Sequence, residues 1–181
     1  MHLLRYLYHQ HVHAPRGERV LYRAIHRRRP RQLVQVGLGD GVQVERMLTF
    51  AARYAGSEGL AFAGIDLFEA RPPGQPGITY QQAHRRFGKL VEQLSLVPGD
   101  PQTALSRAAN RLLQTDLLVI GAGHDPASLK HGWVYVPRML HETSVVLIEE
   151  PGPEGCHFRL MDAAEIAHLA ADVSLRRKRA A

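Results

Sequence analysis

Three glycines at alternate positions, Gly37, Gly39 and Gly41, follow the apolar run from Gln32 to Val36 and lead directly into a segment of helical spacing. Glycine lets backbone approach a ligand closely and adopt positive φ, so this turn is the first place to look for a bound small molecule. A dinucleotide fingerprint would place its last glycine where Val42 stands. It would also place an acidic residue about 20 positions on, whereas Asp66 lies 29 positions after Gly37. NAD is therefore disfavoured, and no phosphate-cradling Gly-Lys-Ser/Thr loop is present. Asp66 ends a second apolar run. Its carboxylate could accept from two adjacent hydroxyls in charge-assisted bonds, and it is equally suited to end a strand in a turn. Asp100, followed by Pro101, could meet the edge of an adenine ring or could cap a helix with proline at its first position. His124, past a fourth apolar run, is a candidate general base for a hydroxyl or amine, or a loop histidine beside a capping Asp125. Glu149 and Glu150 end the fifth run.

Metal chemistry has less support. The single cysteine, Cys156, excludes a multi-cysteine zinc site and a disulfide framework. His9, His11 and His13 would share a face in a strand, but flanking Leu3, Leu4 and Leu7 favour a helix, where only two of them align.

The elements that must position these groups alternate. Strands are predicted at Gln32–Val36, Leu60–Ile65, Leu94–Val97, Asp116–Ile120 and Ser144–Ile148, each short, apolar and bounded by turn residues. Helices are predicted over Gly17–Arg29, with Val20, Leu21 and Ile25 inward, and over Val42–Ala55, Tyr80–Leu94, Pro101–Leu113 and Asp125–Leu140. Trp133 falls on the apolar face of the last of these. Residues Ala70–Gly77, rich in proline and glycine, must form a loop. Cys156–Leu160 reads as a sixth strand, antiparallel, and Asp162–Val173 as a final helix capped by Asp162. Alternating strands and helices imply an α/β fold with a doubly wound, mostly parallel sheet.

In this arrangement the chain resembles the class I S-adenosylmethionine-dependent methyltransferases, a Rossmann-like fold, and within them the small O-methyltransferase-like branch. The resemblance spans residues 17–150 and rests on four motifs in order. These are the glycine turn, Gly64-Ile-Asp66-Leu67, the Val97-to-Pro101 segment, and the fourth strand running from Thr115 to His124. It implies that S-adenosylmethionine is held by Gln35, Gly37, Gly39, Gly41, Asp66, Leu67, Asp100 and Pro101, with His124 as catalytic candidate. Two departures matter. Gln35 stands where the family carries a carboxylate. Gly121 and Gly123 stand where metal-dependent relatives carry two, so a metal-independent reaction on a small-molecule acceptor is expected. The alternatives are a cofactor-binding protein without catalysis, favoured by a C-terminal part shorter than the family's usual one, and an RNA-directed protein.

Composition bounds the rest. At 181 residues, 45% hydrophobic and 22% charged, the chain reads as one globular domain, residues 17–174, with an N-terminal arm over 1–16 and a basic tail over 175–181. The net charge of +6 is concentrated at the ends: +7 over residues 1–32 and +4 over 176–179. A basic stripe across the folded body is missing, which argues against a nucleic-acid partner. No run is long enough to span a membrane, and no cleavable leader is evident, so the expected location is the cytoplasm. The sixth strand leaves an edge on which two copies could pair.

Overall fold

The computed structural model describes residues 16–55, 59–121, 123–124, 126–152 and 155–179, with side chains through Ser174 except at Pro126, Ala127 and Lys130. The histidines at 9, 11 and 13, the arm before Arg16, and Asp125 lie outside the described residues. So do the side chains of the basic stretch 175–181.

Six strands form one sheet in the order β3-β2-β1-β4-β5-β6. They are β1 (Gln32–Val36), β2 (Ala61–Asp66), β3 (Gln93–Pro98), β4 (Thr115–Ile120), β5 (Leu140–Gly152) and β6 (Gly155–Met161). The first five are parallel, and β6 returns antiparallel to β5. Successive side chains on a strand face opposite sides. Leu33 and Val34 accordingly enter two different core layers.

One face is covered by α1 (Arg19–Arg28), α2 (Val42–Ala51) and α3 (Tyr80–Phe87). Leu21, Ile25, Met47, Leu48 and Phe87 pack there on Phe62, Leu117 and Leu147. The other face is covered by α4 (Pro101–Ala108), the helical turns between β4 and β5, and α7 (Ala163–Arg179). Leu105, Trp133 and Ile166 pack there on Val34, Ile65, Ile120 and Ile148.

Local chemistry sets the ends. A short 3-10 turn, Arg16–Glu18, precedes α1, which closes on a left-handed Arg29 ahead of Pro30. Thr79 and Gln82 form a capping box at α3. Asp162 accepts from the Glu165 N–H at 2.7 Å and starts α7.

Several expectations require correction. Val20 is 38% exposed rather than inward. Helix α3 ends at Phe87, because Leu94 belongs to β3 and the chain needs residues to turn. The segment predicted as one helix over 125–140 is three short pieces: α5 (Pro126–Leu129), a 3-10 stretch (Lys130–Val134) and α6 (Val136–Met139). Pro137 lacks an N–H and restricts the residue before it, so a continuous helix cannot pass. Leu129, Trp133 and Val136 are buried nonetheless. The backbone of α7 continues to Arg179, through residues expected to form a tail.

Candidate functional site

The strand order reverses between β1 and β4, and in open α/β sheets ligands bind outside the carboxyl ends of the strands at such a point. The glycine turn is pinned there. The Gly37 N–H donates to the Ile65 carbonyl at 2.9 Å, and the Gly121 N–H donates to the Val36 carbonyl at 2.9 Å. Gly37 has φ +78° and no room for a side chain. A Cβ there would sit 2.4 Å from the Gly121 carbonyl oxygen and 2.5 Å from His124 Nδ1. The imidazole therefore lies directly over the first glycine. Gly41, φ +78°, starts α2 and would clash with Ile78 if it carried a Cβ.

Gln35 is 2% exposed. Its Nε2 donates to the Gly37 carbonyl at 3.0 Å and to Gln43 Oε1 at 2.9 Å. Two buried amide atoms remain without a partner, Gln35 Oε1 and Gln43 Nε2. One is an acceptor and the other a donor. Leaving such groups unmet costs about 1–3 kcal/mol each.

Asp66 is buried at 6% exposure. Its Oδ2 accepts from the Leu38 N–H in the glycine turn at 2.7 Å, and Oδ1 accepts from the Leu67 N–H at 2.6 Å. Arg71 Nη2 lies 2.7 Å from Oδ1 as an ion pair. Three cationic or N–H groups thus surround a carboxylate expected to stand open to two hydroxyls. Arg71 also donates through Nη1 to the carbonyls of Phe68 (3.1 Å) and Ile78 (2.8 Å). It ties the proline-rich loop down, and the Ile78 N–H completes the tie on the Gly39 carbonyl at 2.7 Å. Sequence reasoning missed Arg71. The only signal was a single arginine inside a loop otherwise made of turn formers.

Asp100 and Pro101 share this edge, since the Gly99 N–H donates to the Asp66 carbonyl at 2.9 Å. The Asp100 carboxylate is exposed and caps α4, accepting from the Thr103 N–H at 3.1 Å with Pro101 at the first helical position. Hydrogen bonding from the Thr103 side chain, then from its N–H, holds the Asp100 pKa below the usual carboxylate value. Helix starting is therefore a role the side chain visibly performs.

Across the turn, His124 Nδ1 lies 3.1 Å from the Gly121 carbonyl. A carbonyl only accepts, so in the neutral ring Nδ1 carries the proton and Nε2 is the basic nitrogen. His124 also lines a cleft of ≈ 600 Å3 together with Ile148, Glu149, Glu150, Pro151 and Cys156. Glu150 is paired with Arg159 at 2.8 Å, and Arg159 in turn holds Glu165. Burial, then the charge of Glu149, pushes the Cys156 thiol above its usual pKa. Sequence reading missed Cys156 because β6 places it opposite Pro151 through pairing that spacing alone does not specify. Among the described residues, no three His, Cys, Asp or Glu side chains come together in a way that could hold a metal ion.

No protein-family model and no curated protein sequence matches the chain. Solved structures do. The O-methyltransferase TomG from Streptomyces achromogenes, crystallised with S-adenosylmethionine, superposes with a TM-score of 0.54 at 13% identity, over 91% of this chain and 68% of its own. An O-methyltransferase assigned as such in Klebsiella pneumoniae superposes at 0.53 with 14% identity, over 96% of this chain and 76% of its own. At such identities the likeness is one of architecture. The chain has the Rossmann-like fold of the S-adenosylmethionine-dependent methyltransferases, with its glycine turn at the switch point of the sheet.

Proposed function

We propose that the chain binds S-adenosylmethionine at the glycine turn and transfers a methyl group, without a metal, to a small molecule in the adjoining cleft. The observation that carries this reading is the orphaned pair beside Gly37. Gln35 Oε1 can accept from an ammonium group, and Gln43 Nε2 can donate to a carboxylate. The amino-acid end of the cofactor offers both, so the amide meets by hydrogen bonding what a carboxylate would have met by charge. Asp66 and Leu67 would adjoin the ribose, and Pro101 the adenine. A neighbour of the same fold was crystallised with this cofactor, which supports the choice.

When bound, the cofactor supplies an electrophilic methyl group. The residues of this chain supply positioning, which accounts for most of the rate in such a transfer. His124 stands between the glycine turn and the cleft. Its Nε2 would take the proton lost by a hydroxyl or amine as that group becomes the nucleophile. Ile148 and Pro151 give the cleft apolar walls, while Glu149 and Glu150 provide acceptors for a hydrogen-bonding substrate. Gly121 and Gly123 offer no side-chain oxygen to a hard cation, which supports a metal-independent route.

A second reading has its own support. Asp66 is already engaged by Arg71 and two N–H groups, so its capacity for two ribose hydroxyls is reduced. This favours a protein that binds the cofactor weakly and does not turn over. Methyl transfer to hydroxyl and amine acceptors, followed with labelled cofactor, separates the two. The catalytic reading expects transfer that survives EDTA and falls by about 10²-fold or more in His124→Ala. Transfer that stops in EDTA and returns with magnesium contradicts the metal-free route. Absence of transfer on any acceptor, with the cofactor bound, favours the binding protein.

A further inference from the structure

A groove of ≈ 500 Å3 lies away from the glycine turn, between α1 and the β5–β6 hairpin. Its floor is Val145, Leu147 and Leu160, and its rim carries Arg23, Arg27 and Arg28. Val20, which the helical pattern would have buried, also faces this groove and is 38% exposed, while Leu160 is 57% exposed. Four arginines elsewhere meet carboxylates (Arg46 faces Glu18, Arg71 faces Asp66, Arg86 faces Glu45 and Arg159 faces Glu150), while others such as Arg107 and Arg138 bond neutral oxygens. Among the described residues, the three rim guanidiniums have no such partner. Among the described residues, no acidic side chain lines the groove. Arg23 and Arg27 stand one helical turn apart, a like-charge spacing that costs helix stability and that an anion would relieve.

We propose that this groove is a binding site for a small anionic amphiphile. Its carboxylate would engage Arg27 and Arg28 in charge-assisted bonds, and its apolar chain would lie over Leu160 and Val20. The dimensions suit a medium-length chain, since eight residues separate Val20 from Arg28, about 12 Å along the helix axis. The volume lies within the range of small-molecule sites. A second copy of this chain is a poorer occupant, because a two-fold axis here would bring arginines against arginines. Single-stranded nucleic acid is poorer too, since the described residues lining the groove include no aromatic ring on which bases could stack.

The test uses the full chain and decanoate, below its micellar concentration, followed by calorimetry. Decanol provides the same chain without charge, and decyltrimethylammonium provides the opposite charge. The site expects saturable decanoate binding, at least tenfold weaker binding of both controls, and at least tenfold loss in the Arg27→Gln/Arg28→Gln double variant. Leu160→Ser, at an exposed position, should also weaken decanoate with the fold intact by circular dichroism. Decanol binding as tightly as decanoate, an unaffected double variant, or absence of saturation would overturn the proposal.

Discussion

The ion pair between Asp66 and Arg71 makes the most demanding prediction, because it couples the proposed cofactor edge to the stability of the whole sheet. Both side chains are nearly buried, at 6% and 10% exposure. Removing one member of such a pair strands the other charge, at a cost of about 3–5 kcal/mol. In a domain of this size that corresponds to a fall in Tm of about 6–20 °C. Arg71→Met should therefore destabilise on this scale, since the carboxylate keeps only the N–H groups of Leu38 and Leu67. Asp66→Asn should do likewise by stranding the guanidinium. The double variant Asp66→Asn/Arg71→Met should recover much of the loss, because neither buried charge remains. Urea denaturation followed by circular dichroism gives all three values in a double-mutant cycle. If Arg71→Met costs less than about 1 kcal/mol, or the two single losses simply add in the double variant, the pair is not the structural knot described here.

Further outcomes follow from the same geometry. Gly37→Ala adds a Cβ to a left-handed residue and into the His124 ring, so it should cost at least about 1–2 kcal/mol and abolish cofactor binding, read by thermal melting and calorimetry. Burial, then the nearby Glu18 carboxylate, raises the Tyr22 pKa. The folded state therefore holds its proton longer than the unfolded state, and stability should fall as pH rises beyond about 10; Tyr22→Phe should flatten that limb of the pH–stability curve while losing the 2.9 Å bond to Glu18. Cys156 should alkylate slowly at neutral pH, and Glu149→Gln should quicken it by removing the neighbouring negative charge.

Much of the architecture was legible because its signals are local. Four of the five parallel strands are short apolar runs whose flanks carry turn residues. The capping signals at Asp100 and Asp162 are encoded within a few residues of the bonds they make. What escaped depends on loop path or on contacts distant in the sequence. Arg71 is five residues from Asp66, yet its guanidinium meets the carboxylate only through the 3-10 turn Phe68–Ala70 between them, which residue spacing does not specify. Val20 obeys the helical period yet lines the groove and is 38% exposed. The break at Pro137 was readable, and the apolar spacing of Leu129, Trp133 and Val136 obscured it. The candidate site shows the same division. Gln35, Gly37, Asp66 and His124 were proposed from type and position. Gln43 and Cys156 came to light only once helix α2 and the β5–β6 pairing placed them beside the others.

The central claim is that the glycine turn and the orphaned amides of Gln35 and Gln43 receive S-adenosylmethionine. Calorimetric titration of the full chain with S-adenosylmethionine, its demethylated product and NAD, side by side, tests it most directly. The first two should bind saturably and NAD should not bind, and Gln35→Leu, which removes the buried acceptor and donor together, should lose about tenfold or more in affinity. NAD binding more tightly than S-adenosylmethionine, or Gln35→Leu binding as well as the parent chain, would contradict it.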